Sequence, residues 1–121
     1  MPDSLADFDA FRSRMNERIF GADNLVVNRF FRLDGQAYED GALGKKTKEM
    51  LGLVSSMVLR CDDCITYHVA QCAQQGVTDE EFFEVFSVAL VVGGSIVIPH
   101  LRRAVDRLDE VRRESGRKAG R

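Results

Sequence analysis

Leu5, Phe8, Phe11, Met15 and Ile19 recur at intervals of three and four behind the polar pair Asp3 and Ser4, so the chain opens on an amphipathic helix that ends before Gly21. A second helical segment is predicted from about Asn24 to Leu33, where Asp34-Gly35 interrupts the pattern. After a short stretch from Gln36 to Asp40, Gly41 to Gly44 reads as a loop. The third helix is expected to start near Lys45, to carry Glu49, Met50, Leu53, Val54, Met57 and Val58, and to end near Arg60. A fourth covers about Asp62 to Gln75, with Gly76 as its left-handed stop. Thr78-Asp79-Glu80-Glu81 then fits a capping box for a fifth helix, which reaches from Glu80 to Val92. Gly93-Gly94 stops that helix, and a last one begins around Ser95, tolerates Pro99 in its first turn and runs to about Glu114. Ser115 to Arg121 is expected to be a basic, frayed tail.

No segment sustains period-two alternation between turn signals. Val91, Val92, Ile96, Val97 and Ile98 are β-branched, yet Gly93-Gly94 divides them and their flanks are helical. The fold class is therefore all-α, a bundle of about six helices. With 121 residues the chain has room for one domain, taken as 1–121, and for one apolar core.

Composition narrows the function classes. The chain is 45% hydrophobic and 30% charged with a formal charge of -2, which gives no bulk attraction to nucleic acid. The longest apolar run, Val85 to Ile98, is broken by Ser87, Gly93, Gly94 and Ser95 and is too short to cross a bilayer. The N-terminus is too charged for a secretory signal, so no membrane partner and a cytoplasmic location are expected. Met50 to Leu59 and Phe82 to Val92 are apolar on more than one face. Association into a homo-oligomer covers both more simply than running both through one small bundle. Phe82, Phe83 and Phe86 are read as core or subunit contacts.

The chemistry concentrates in one stretch: Glu49, then Cys61-Asp62-Asp63-Cys64, then His68. Two of three cysteines lie three residues apart in a chain without export signals, a spacing that is more often catalytic or metal-binding than structural. On a helix they stand about 5 to 6 Å apart, close enough for a disulfide that opens and closes with little backbone movement. Cys64 and His68 share a face at a separation of four, so the imidazole can take the thiol proton or hold the thiolate, which is the reactive form. Cys61 falls near the helix N-terminus, where backbone N–H groups favour an anion, while Asp62 and Asp63 oppose that charge and cap the helix. These effects leave open which cysteine is the more acidic. Glu49 is read as an acid in a first helical turn, where acids are favoured on dipole grounds alone.

The string Glu49-x11-Cys61-x2-Cys64-x3-His68 resembles the signature of AhpD-like alkylhydroperoxidases in the carboxymuconolactone decarboxylase family. The likeness extends over about 43–104 and takes in the Lys45 to Met50 helix start, Gly76, the Thr78 to Glu81 cap and Gly93-Gly94. It implies an all-helical fold assembled as trimers or hexamers, and peroxide or disulfide reduction through the cysteine pair with Glu49 and His68 as a proton relay. It also implies an external dithiol reductant, a lipoyl-bearing or thioredoxin-like partner, and no bound cofactor. This chain departs from the pattern at Asp63, where the best-known relatives place a second histidine before the second cysteine. Muconolactone decarboxylation is not expected, because the decarboxylases that name the family lack the cysteine pair.

Two other readings compete. Zinc would find ligand-like Cys61, Cys64, His68 and Cys72, but on one helix the first and last lie on the order of 16 Å apart, too far for a tetrahedral site. A site shared by Cys61, Cys64, His68 and a group from elsewhere is less excluded. A non-enzymatic oligomeric redox sensor or ligand-binding protein of the same fold would also keep the dithiol. Cys72 is expected as a small buried hydrophobe. His100 reads as a surface or interface residue. Arg102, Arg103, Arg107, Arg112, Arg113, Arg117 and Lys118 interleave with Asp106, Asp109, Glu110 and Glu114 as a solvated helix face with intrahelical pairs.

Overall fold

The computed structural model describes residues 4–119 and holds six α-helices: α1 (Leu5–Gly21), α2 (Leu25–Ala37), α3 (Lys45–Val58), α4 (Asp62–Gln74), α5 (Asp79–Gly93) and α6 (Ile98–Ala119). A 3-10 turn, Ser95–Val97, leads into α6. No strand forms among the described residues, in keeping with the all-α reading. Polar caps set several starts. The Ser4 hydroxyl accepts from the Asp7 N–H, the Asn24 side chain accepts from the Val27 N–H, and Thr78 and Glu81 exchange bonds of 3.1 and 2.9 Å in the expected capping box.

The core sits where α3 packs on α4 and α5, and α4 packs on α6. Each helix contributes one stripe at helical spacing: Leu53 and Met57 from α3, Ile65, Val69 and Cys72 from α4, Phe82, Phe86 and Ala89 from α5, and Ala104 and Leu108 from α6. Full burial of such side chains stabilises by about 1.5–3 kcal/mol for each large one. Cys72 takes the place expected of it as a small core residue. Burial pushes its thiol up to about 12, with the Glu49 carboxylate adding to the effect.

Four expectations are corrected. First, α2 runs through Asp34-Gly35 to Ala37 and ends at Tyr38. An exposed glycine costs a helix only about 1 kcal/mol relative to alanine, which the surrounding turns absorb. Second, the segment expected to fray from Ser115 is helical through Ala119, with Arg117 and Lys118 favourably placed in the last turn. Positions 120 and 121 lie outside the described residues. Third, α6 is not simply a solvated charged face. Arg107 is buried and donates to the Thr66 hydroxyl, Arg103 reaches Asp62, and Arg112 reaches Asp79 and the Val77 carbonyl. Asp62 and Asp79 open α4 and α5, so these arginines tie α6 to two helix starts. Fourth, Glu49 is the fifth residue of α3, and no acid occupies that helix's first turn.

Helix α2 differs from the rest because it buries none of its residues. Val26, Phe30 and Leu33 remain 74%, 67% and 61% exposed. Val88, Val91 and Val92 on α5 and Leu51 on α3 are also open.

Candidate functional site

The turn between α3 and α4 builds the dithiol. Arg60 sits in the left-handed region at φ 60°, the Cys61 N–H donates to the Ser56 carbonyl, and the Arg60 N–H donates to the Met57 carbonyl, each at 3.0 Å. That pair of bonds is a Schellman closure of α3. Cys61 then caps α4, its sulfur accepting from the Cys64 N–H at 3.3 Å. One residue thus ends one helix and begins the next. The Cα atoms of Cys61 and Cys64 are 5.3 Å apart, and the two sulfurs are joined as a disulfide. Cys61 is half-buried and Cys64 exposed.

Behind the dithiol lies a buried carboxylate. Glu49 is fully buried, so attraction to a helix N-terminus does not account for it. Its Oε1 meets His68 Nδ1 at 2.8 Å and its Oε2 meets Lys45 Nζ at 2.8 Å. A buried charge survives only when its oxygens are paired, and both are. The hydrogen bond to Glu49 raises the Lys45 ammonium above its ordinary value, although partial burial works against it. A carboxylate facing Nδ1 fixes the hydrogen on that nitrogen and leaves Nε2 as the basic position of the ring.

Tyr38, at the end of α2, stands against that nitrogen. Its hydroxyl is 3.5 Å from His68 Nε2, and the two rings are 5.4 Å apart at 41°. Gly52 makes the contact possible. A Cβ there would fall 2.6 Å from His68 Cε1, 2.8 Å from Nε2 and 2.8 Å from the Tyr38 hydroxyl, all inside van der Waals contact.

A cavity of about 380 Å³ opens on this corner and is lined by Cys64, His68, Tyr38 and Tyr67 together with Phe8, Phe11 and Met15 of α1. Asp63 lies on the same wall, as does Arg12, whose guanidinium stacks 4.4 Å over the Tyr67 ring. Cys61 is not among the lining residues. The structure therefore brings Cys61 and Cys64 together, brings Glu49 and His68 together, and joins the two pairs along one cavity wall rather than by a hydrogen bond. Among the described residues, no three His, Cys, Asp or Glu side chains converge in a way that could hold a metal ion.

His100 is tied to Asp62, Nδ1 to Oδ1 at 2.8 Å, and Arg103 holds the other carboxylate oxygen at 2.8 Å. These contacts anchor the first residue of α4 beside Cys61. Tyr38, Lys45 and Gly52 were not singled out from sequence. Lys45 carried a signal, because it precedes Glu49 by four on one helix face. Tyr38 carried none, since the Asp34-Gly35 break left it in the short Gln36 to Asp40 stretch beyond the second helix. Only the opposing ring explains Gly52.

The sequence profile of the carboxymuconolactone decarboxylase family matches residues 25–107. Two crystal structures of a Thermotoga maritima protein, 53% identical, superpose with a TM-score of 0.88; one covers 92% of this chain and 97% of its own. That protein is described as a carboxymuconolactone decarboxylase family member with a suggested involvement in antioxidative response. A Legionella pneumophila protein of the family shares the fold at a TM-score of 0.81 and 23% identity, covering 88% of this chain and 96% of that one. A protein of the cox locus of Paracoccus denitrificans, itself uncharacterized, is 32% identical over 86 residues, 71% of this chain and 78% of that protein.

Proposed function

This chain belongs to the carboxymuconolactone decarboxylase family, and from that premise we propose that it is a thiol-dependent oxidoreductase, an alkylhydroperoxidase-like peroxidase and disulfide reductase working through Cys61 and Cys64. One observation carries the reading. A disulfide-forming pair opens, through Cys64, onto a cavity whose wall includes His68, and the far nitrogen of that imidazole is held at 2.8 Å by a fully buried carboxylate.

In the reduced protein, His68 Nε2 takes the proton of the Cys64 thiol while Glu49 stabilises the imidazolium that forms. The position of Cys64 near the start of α4 favours its thiolate further. The thiolate attacks the terminal oxygen of a hydroperoxide, the O–O bond breaks, and with one proton the products are a Cys64 sulfenic acid and an alcohol. The Cys61 thiol displaces water from that sulfenic acid and regenerates the disulfide. An external dithiol, on a lipoyl-bearing or thioredoxin-like protein, then reduces Cys61–Cys64 by exchange and leaves oxidised. Cys64 attacks because it faces the cavity, and Cys61 resolves because it does not. No bound cofactor enters these steps. The working form is a homo-oligomer, a trimer or hexamer, whose neighbouring subunits cover the exposed apolar faces of α2 and α5.

Steady-state turnover with cumene hydroperoxide and an excess of dithiol tests the proposal. Cys64→Ser is expected to abolish consumption, and Cys61→Ser to form no internal disulfide and to recycle only through attack of the added dithiol on the Cys64 sulfenic acid. If the parent protein itself oxidised once and did not recycle while dithiol remained, it would be a sensor and not a peroxidase.

A further inference from the structure

The breaking of a peroxide O–O bond requires, after the Cys64 proton has passed to His68, a second proton transfer to the departing oxygen. The departing oxygen of an alkyl hydroperoxide leaves as a strongly basic alkoxide and must receive a proton as it goes. His68 is engaged on one side with Glu49, and its Nε2 is the position that receives the thiol proton. The Tyr38 hydroxyl, at the C-cap of α2, stands 3.5 Å from that nitrogen. Tyr38 lines the same cavity as Cys64. Its ring also lies 5.8 Å from the Lys45 ammonium that pairs with Glu49. Gly52 reserves the volume in which ring and phenol meet, where even one methyl group would collide with both.

Resting on the peroxidase reading of the dithiol, we propose that Tyr38 is a catalytic residue whose hydroxyl delivers the proton to the leaving oxygen of the hydroperoxide. The Cys64 thiol proton passes to His68 Nε2, the sulfur electron pair forms the S–O bond, and the O–O electron pair departs on the alkoxide. That oxygen takes the Tyr38 proton, and the phenolate recovers a proton from the His68 imidazolium. The net reaction is thiol plus hydroperoxide to sulfenic acid plus alcohol, with Tyr38 and His68 returned to their starting states. Burial, the Glu49 charge and the nearby Asp34 hold the phenol above its ordinary value of 10.0 against the pull of Lys45, so it keeps its proton at neutral pH and is available as a donor.

The test compares leaving groups. Reduced parent protein and Tyr38→Phe are mixed with cumene hydroperoxide, whose leaving alkoxide requires a proton, and with peracetic acid, whose leaving acetate does not; thiol loss is followed in both. Tyr38→Phe is expected to slow the first reaction by about 100-fold, the scale of general-acid catalysis, and the second by no more than about threefold. Alkylation of Cys64 by iodoacetamide, followed against pH, is expected to match the parent. An equal loss with both oxidants, or a parallel loss in alkylation, would overturn the assignment by showing that Tyr38 acts on the thiol or on the fold. No loss with either would overturn it too. A parent protein inert to both oxidants yet normally alkylated would remove the peroxidase reading and this assignment with it.

Discussion

The α3–α4 turn and helix α2 meet at the same cavity and are built on opposite terms. Glu49, Leu53, Met57, Ile65 and Val69 are buried and fix α3 and α4 against each other, so the Glu49–His68 contact inherits the rigidity of the core. Helix α2 buries no residue, yet its C-terminal Tyr38 completes the wall opposite His68. Chemistry that needs fixed distances between proton donor and acceptor is anchored where packing is densest. The other side of the cavity rests on a helix whose apolar residues the chain alone leaves exposed. The Glu49–His68 contact is thus fixed by the core of the chain itself, while Tyr38 stands at the end of a helix that buries nothing.

Substitutions on the two sides should therefore differ in kind. The largest effect is expected for Glu49→Ala, which strips the partner from Lys45 and His68 inside the core. It should cost about 3 kcal/mol in urea unfolding, the scale for breaking a buried pair. A cost as small as that of a surface change would mean the acid does not brace the centre. Gly52→Ala comes next, at about 1–3 kcal/mol, because its methyl group must displace the His68 ring or the Tyr38 hydroxyl. A crystal structure of that variant with both rings unmoved would refute the close fit.

The docking of α1 offers an intermediate, pH-dependent case. Burial pushes the Glu110 carboxyl up, but the Leu5 N–H at 2.7 Å and the Arg107 guanidinium outweigh it and hold the group below its ordinary value of 4.5. A carboxyl lowered in the fold stabilises fully above its unfolded value and loses that contribution as pH falls through its folded value. Glu110→Gln is thus expected to cost on the order of 1 kcal/mol at neutral pH, and the difference from the parent should shrink below pH 4.5. A difference that stayed constant from pH 7 to pH 3 would contradict this linkage.

The smallest change in chain stability is expected for Phe30→Ser on α2. At 67% exposure it should shift unfolding by no more than about 0.5 kcal/mol while moving sedimentation toward smaller species. Unchanged sedimentation for Phe30→Ser and for Leu33→Ser would remove α2 from the proposed homo-oligomer contact.

Two helix ends show why some of this was legible and some was not. Gly76 and Arg60 both adopt positive φ, and Val77 and Cys61 close the same hydrogen-bonded motif behind them. At Gly76 the residue type announces the turn. At Arg60 nothing does, because a side chain held in the left-handed region by its neighbours leaves no mark in composition. Asp34-Gly35 is the converse, a break signal that the helix overrode.

Local spacing by itself determined six helical segments, the reach of Cys61 to Cys64, the common face of Cys64 and His68, and the membership of Cys72 in an apolar stripe, since each depends on residues within one or two turns. Only the tertiary structure decided that Glu49 turns inward to His68, that Tyr38 closes on the opposite nitrogen, that Gly52 leaves room for both, and that the arginines of α6 serve the starts of other helices. Those pairings join positions from different helices, and the distance between helices is set by the packing of the whole core, which no local pattern records.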